Sequence, residues 1–264
     1  MNDDTFRLPG KFDENSHMAL IQRRGNLIVG VVQEAPPFTF QNPNTGSWSG
    51  FDIGLVQKIA ISIFGSQIEG KIAWVPLDPR DRETALGVDR IDLAVGRYEI
   101  TVARKRRVDF AGPYFTAFQN AVIAQNASSR ISGVTELNGQ NVCTVVGSTN
   151  FEALKAVAPA AVVKTQARTV FECGAELTKG EVVAVVADHV DLRPLVGGTN
   201  NKFETLDAKF APSPYGIGVR KDRTDFRQFL NDQLTGEDVK EAWPELYEQA
   251  VPDDDAEQPA VDRY

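Results

Sequence analysis

Apolar positions along the chain alternate between two periods. A continuous apolar run at 27–32 (LIVGVV) predicts a buried strand. It is preceded by a short helix from His17 to Arg24, with Ser16 as N-cap, an apolar side of Met18, Leu20 and Ile21, and Gly25 as its stop. Two prolines in EAPPFTF force an extended loop that presents Phe38 and Phe40, and NPNTGSWSG is a cluster of turn residues. Gly50, Phe51 and Asp52 then open a helix over 53–64, apolar at Ile53, Val56, Ile59, Ala60 and Ile63. A strand over 71–76, a helix around 80–88 and a strand over 91–95 follow. This alternation predicts an α/β fold with a parallel sheet, which binds ligands beyond the carboxyl ends of its strands.

The alternation restarts near Asn120. Strands are expected at 121–124, 140–146, 162–163 and 182–186, with helices at 150–157 and 169–178, the latter closed by Gly180. A proline-marked extended segment at 212–219 leads to a helix over 225–234 and an amphipathic tail carrying Trp243, Leu246 and Tyr247. Two α/β lobes result, the second inserted in the first. Lobe 1 is 1–119 with 214–264, lobe 2 is 120–213, and hinge strands lie near 118–124 and 212–218. Lobes joined by two strands close on ligands like a clam. The ends, 1–15 and the acidic stretch after Pro252, read as flexible or disordered.

The stretch 91–115 (IDLAVGRYEITVARKRRVDFAGPYF) carries the most chemistry. Its strand ends at Gly96 in polar residues, passes through the cationic run Arg104, Lys105, Arg106 and Arg107, and closes in a turn with aromatics on both sides. A polar strand end leading into a helix start can receive an anion, and a nearby arginine can close on a carboxylate. Composition agrees with a small-molecule partner. The formal net charge of −8 argues against nucleic acid or an anionic membrane. Two histidines and two cysteines are too few for a convincing zinc site, so no metal is expected. No apolar run reaches membrane-spanning length, and no signal peptide opens the chain; a start after a removed export signal is the expectation.

The motifs PPFTF, GFDIG, Glu99–Ile–Thr–x–x–Arg104, VDFAGPYF, GST at 147–149, FEC…LTKGEV and VVADH fall in a recognisable order over 27–247. In that order the chain resembles the bacterial extracellular solute-binding proteins of family 3, which feed polar amino acids to ABC importers. The resemblance implies a type II, two-lobed periplasmic-binding-protein fold, each lobe a mostly parallel sheet flanked by helices, with a two-strand hinge. It implies an exported protein, extracellular or tethered at the cell surface, for instance as a lipoprotein. No cofactor and no catalysis are implied; the partners are a polar amino acid and a membrane permease, and a monomer is expected.

Carried onto this sequence, the resemblance makes Phe51 the aromatic over the ligand, the bland alternative being a core phenylalanine. Thr101 belongs to the same binding motif, and Arg104 becomes the carboxylate clamp, its alternative being an ion pair with Asp109. Ser148 and Thr149 would meet the carboxylate, or simply cap the helix that follows. Asp188 would hold the ligand ammonium, with His189 structural or at the rim. The pair Cys143 and Cys173 resembles glutamate-type members of high-GC Gram-positive bacteria and would form a disulfide. Three positions depart from the family pattern. Arg97 and Glu99 replace small or hydroxyl residues; they pair with each other or shape the specificity pocket, Arg97 favouring an acidic side chain and Glu99 opposing one. Gly54 replaces a second acid, a loss placed on the helix surface. Glu34 is a further candidate pocket wall. The expected ligand is a polar and preferentially acidic amino acid, of the glutamate, aspartate or glutamine class. A sensing ectodomain of a signalling receptor is the alternative, and a dehydratase using Glu99 or Glu34 as general acid is a third reading.

Overall fold

The computed structural model describes residues 7–125, 131–145, 148–164, 167–197, 202–206, 209–252 and 256–264. In chain order its elements are α1 (His17–Arg24), β1 (Leu27–Val31), β2 (Glu34–Ala35), β3 (Thr39–Gln41), β4 (Trp48–Ser49), α2 (Phe51–Phe64), β5 (Ile72–Pro76), α3 (Arg82–Gly87), β6 (Leu93–Ala94), α4 (Val102–Lys105) and β7 (Val108–Ala124). There follow β8 (Asn141–Cys143), α5 (Asn150–Val157), β9 (Val162–Lys164), α6 (Val170–Lys179), β10 (Ala184–Asp188), α7 (His189–Gly197), β11 (Phe203–Thr205), β12 (Ala211–Arg220), α8 (Thr224–Thr235) and α9 (Glu237–Ala250). The described residues divide into two compact units. The first holds those up to Phe115 and from Pro214 onward, and the second is Thr116–Ser213. The boundary between them falls within β7, one continuous strand of 17 residues.

In the first unit β1 pairs in parallel with β5 and β6, while β12 pairs antiparallel with β6. In the second, β8 pairs in parallel with β9 and β10, and β7 takes β10 and β11 antiparallel. The pairing is therefore parallel among β1, β5 and β6 and among β8, β9 and β10, and antiparallel at β7 and β12, the strands through which the chain changes units.

Local chemistry explains the element ends. Ser16 accepts a hydrogen bond from the Ala19 amide at the start of α1, and Gly25 ends it with a left-handed backbone, φ 90°. Thr169 and Gly180 do the same for α6. The GFD turn needs its glycine: Gly50 has φ 119°, and a Cβ there would collide with the Phe38 carbonyl. Gly54, read as a surface position, instead faces α9, where a Cβ would collide with Leu246. The missing second acid thus leaves room for α9 to pack on α2.

An aromatic cluster fills the first unit: Phe38, Phe51, Tyr114, Phe115, Tyr215, Trp243 and Tyr247 contact one another, and the Trp243 indole donates to the Tyr114 carbonyl at 2.8 Å. Phe38 is thus core, and only Phe40 of the PPFTF pair is exposed. In the second unit two apolar clusters flank the sheet, one built on Leu137, Val142, Leu154 and Val186, the other on Val122, Leu177, Val185 and Leu192. Cys143 and Cys173 lie in the latter and form a disulfide joining β8 to α6.

Two terminal segments depart from the composition reading. Residues 7–15 are pinned: Arg7 and Ser66 exchange hydrogen bonds of 2.7 and 3.1 Å, and the Phe12 ring meets Phe229 edge-on. Residues 256–264 run back along the first unit. The Phe110 amide donates to the Tyr264 hydroxyl, the Asp262 amide donates to the Gly112 carbonyl, and Arg263 pairs with Asp232. Acidic composition marks a stretch as weakly hydrophobic, but here hydrogen bonds and an ion pair to specific partners hold the segment in place.

Candidate ligand-binding site

The site of the first unit begins where β6 ends. Gly96 (φ 101°) and Arg97 (φ 53°) both adopt left-handed backbone, which is costly for arginine and persists only where neighbours impose it. Asp52, the second residue of α2, does so. Its buried Oδ2 accepts from the Gly96 amide at 2.7 Å and from the Arg97 amide at 3.3 Å. Burial pushes the Asp52 carboxyl up to about 6, although the Tyr114 hydroxyl and these two amides favour the charged form. The GFD motif therefore holds the Gly96–Arg97 turn through its acid.

Past the loop, Tyr98 is buried against Phe110 with ring centroids 4.8 Å apart. The Ile100 amide bonds the Pro214 carbonyl, and the Tyr98 carbonyl receives the Gly216 amide, so β12 holds the loop from behind. Thr101 caps α4, its Oγ1 accepting from the Arg104 amide at 3.1 Å. This short helix places the Arg104 guanidinium 5.2 Å from the centre of the Tyr98 ring, with Nη1 donating to the Glu99 carbonyl at 2.8 Å. No carboxylate pairs with Arg104 among the described residues. Asp109, the ion-pair alternative, is engaged by Lys221 at 3.4 Å. Lys105 turns to Asp262 and Arg107 to Glu83, leaving Arg104 as the member of the basic run that faces Tyr98.

Phe51 requires a correction. Its ring is 2% exposed and is surrounded by Phe38, Tyr114, Phe115 and Trp243, all of the first unit. The turn at Gly50 directs it into the core rather than over a ligand. The side chain of Glu34 lies outside the described residues; its backbone, in β2, pairs with Phe40.

Arg82, at the start of α3, was not legible in the sequence. It is 6% exposed and its guanidinium lies 4.6 Å from the Tyr98 ring centre. Burial pushes it down to about 10, helped by the charges of Arg104 and Arg97. In the sequence it belongs to the polar run PLDPRDRET, which has no periodicity to separate it from surface charge.

In the second unit Asp188 ends β10, 8% exposed, with Oδ2 accepting from the Ser213 hydroxyl at 3.2 Å. His189 begins α7, and its Nδ1 lies 3.0 Å from the Phe118 amide nitrogen, a structural contact. Thr149 stands at the N-cap of α5 but makes no capping bond with its side chain. The Ser148 hydroxyl is buried and has no hydrogen-bond partner among the described residues. Gly147 lies outside them.

The Asp52 carboxyl links loop geometry to pH. Its folded value, about 6, lies above its ordinary value of 3.8. Between these pH values the folded state holds a proton that the unfolded state has released. Stability from this group therefore falls as pH rises through the window, by up to about 1.4 kcal/mol per pH unit. Urea unfolding of wild type and Asp52→Asn between pH 4 and 7 should show this slope in the difference between the two; parallel profiles would refute it.

Comparison with known proteins matches these features. The model of the bacterial extracellular solute-binding proteins, family 3, matches residues 27–252. The chain is 33% identical over 213 residues to the glutamine-binding protein of Geobacillus stearothermophilus, covering 80% of this chain and 79% of that one. It is 27% identical to the glutamate-binding protein GluB of Corynebacterium efficiens, covering 80% and 73% of the two chains. Among solved structures, an ancestral arginine-binding protein bound to arginine superposes with a TM-score of 0.74 at 31% identity, covering 86% of this chain and 99% of that one. The architecture is the type II, two-lobed fold of periplasmic amino-acid-binding proteins. With its mixed sheets, its GFD-supported loop and a family match spanning most of its length, the chain belongs to the bacterial extracellular solute-binding proteins, family 3.

Proposed function

We propose that this amino-acid-binding protein of the ABC transport family captures a polar amino acid, of the glutamate, aspartate or glutamine class, and delivers it to a membrane permease. The observation that carries the reading is Arg104: a guanidinium steered by Tyr98 and by the Glu99 carbonyl, with no carboxylate partner among the described residues. A fork of N–H donors held in this way suits the α-carboxylate, which accepts two parallel hydrogen bonds. Asp188 supplies the anion for the ammonium, and the orphan hydroxyl of Ser148, with Thr149, supplies further donors. Thr101 supports the clamp through its capping bond, and Arg97 and Glu99 shape the side-chain pocket. The relatives named above bind glutamine, glutamate and arginine respectively, so the side-chain class rests on the residues of this chain. In this reading the protein is exported, works as a monomer at the cell surface and performs no chemistry on its ligand.

Thermal unfolding in the presence of each of the twenty amino acids tests it. A ligand at a hundred times its Kd stabilises by about 2.7 kcal/mol, which raises the Tm of a chain this size by roughly 5–10 °C. At least one polar amino acid should give that shift. Twenty flat responses would remove the amino-acid reading.

A further inference from the structure

We infer that helix α8 and the stretch 256–264 enclose a second binding site in the first unit, one that takes the phosphate group of a small anion on Arg227, Asn231 and Arg263. None of these residues takes part in the amino-acid site described above.

A cavity of about 230 Å3 lies between these two segments, lined by Arg227, Gln228, Asn231, Asp232, Arg263 and Tyr264. Four of the six come from one face of α8, and the stretch 256–264 closes the other side. That wall is fixed by bonds of its own. Gln258 Nε2 donates to the Leu234 carbonyl at 2.7 Å, the Asp262 amide donates to the Gly112 carbonyl at 2.8 Å, and the Tyr264 hydroxyl accepts from the Phe110 amide at 2.9 Å. The donors facing this space are underused. Asn231 is 4% exposed, and its Oδ1 accepts from the Gly112 amide at 2.9 Å. That bond settles the orientation of the side-chain amide and leaves Nδ2 as a donor without a partner among the described residues. The Arg227 guanidinium lies 4.6 Å from the centre of the Tyr264 ring. Its Nε is buried without a hydrogen-bond partner, and no carboxylate pairs with it among the described residues. Arg263 spends one N–H on Asp232 at 2.7 Å and one on Thr235 Oγ1 at 3.0 Å; a guanidinium has more N–H groups than these two bonds use.

Two guanidiniums and one carboxylate, Asp232, leave the lining with an excess of positive charge in a protein whose net charge is −8. An orphan donor in a buried setting is costly, and an anion that accepts from it removes that cost. Contact with Tyr264 accounts for the Arg227 cation but not for its in-plane Nε–H, nor for the free nitrogen of Asn231 on the same cavity. The donors approach from two sides, α8 and residue 263. A carboxylate presents its two oxygens in one plane, to one fork. A phosphate presents oxygens in tetrahedral directions and can meet both sides together, with charge-assisted bonds to each guanidinium. The volume, that of about seven waters, leaves room for a short organic stem beside the phosphate.

Calorimetric titration with inorganic phosphate and with glycerol 3-phosphate is the test, at fixed ionic strength in chloride buffer, on wild type, Arg227→Gln, Asp232→Asn and Arg104→Ala. Wild type should bind at least one probe with a Kd below about 1 mM. Tighter binding of glycerol 3-phosphate identifies a phosphate ester as the occupant, and tighter binding of inorganic phosphate the free ion. Arg227→Gln should weaken binding about tenfold or more, since it removes a charged fork. Asp232→Asn should tighten it about threefold or more, since it removes the carboxylate that opposes the anion. The Asp232 side chain is 63% exposed, so this variant keeps its fold and decides the matter should Arg227→Gln not fold. Arg104→Ala should bind the probes as wild type does. No saturable binding up to about 10 mM overturns the assignment. Unchanged affinity in both the Arg227 and Asp232 variants means an adventitious ion only and overturns it. Loss of phosphate binding in Arg104→Ala places the anion at the amino-acid site and also overturns it. Each of these failures leaves the amino-acid reading standing, because that reading is tested by thermal shift with amino acids.

Discussion

Arg104→Ala is expected to abolish the ligand-induced thermal shift while leaving the unliganded protein folded. The guanidinium makes two kinds of contact, a single hydrogen bond to the Glu99 carbonyl and a face-on approach to Tyr98. Each is worth about 1 kcal/mol at most in a half-buried position, so the apo protein should unfold within about 2 kcal/mol of wild type. Binding stands differently. Removing one partner of a desolvated charge pair costs about 3 kcal/mol or more, over a hundredfold in Kd, because the ligand carboxylate is then buried without its counter-ion. Arg104→Lys separates charge from shape: a point charge replaces the planar fork, and an intermediate loss of roughly tenfold is expected. Binding at wild-type strength by the alanine variant would show that the carboxylate is held elsewhere.

The second large effect concerns the Cys143–Cys173 disulfide, whose partners are separated by 30 residues and lie on β8 and α6. Closing a loop of that length restricts the unfolded chain by about 3 kcal/mol when the native geometry is unstrained. Both sulfurs are fully buried in the apolar cluster of the second unit, so a Cys143→Ala/Cys173→Ala variant also loses packing there. Urea unfolding of wild type and variant under identical conditions should show a loss of about 3 kcal/mol or more. Stability unchanged within about 0.5 kcal/mol would mean that the cross-link contributes nothing net.

How far the sequence speaks differs from residue to residue. Helix α1 was legible to its ends because Ser16 and Gly25 act on their own neighbours, through one side-chain cap and one left-handed backbone. Helix α7 was not, since Pro194 and a short polar start obscure its period. Thr101 and Arg104, which the family motif picks out, are joined locally by a single helical turn that Thr101 caps. Phe51 was misplaced. Its motif is local, but the direction of its ring depends on Tyr114, Phe115 and Trp243, which arrive from two other parts of the chain. Gly54 was misjudged for the same reason, since only the approach of Leu246 shows why a side chain is absent there.

By itself, then, the sequence determined the alternation of strands and helices, the family to which the chain belongs and the spacing of Thr101 and Arg104. These follow from periodicity, caps and motif spacing, which act over a few residues. Only the tertiary structure decided that Asp52 holds the Gly96–Arg97 turn, that residues 256–264 lie against the first unit and that Arg82 comes to rest on Tyr98. Each of these joins residues distant in the chain, and its energy comes from burial and from hydrogen bonds that exist only once the core has closed.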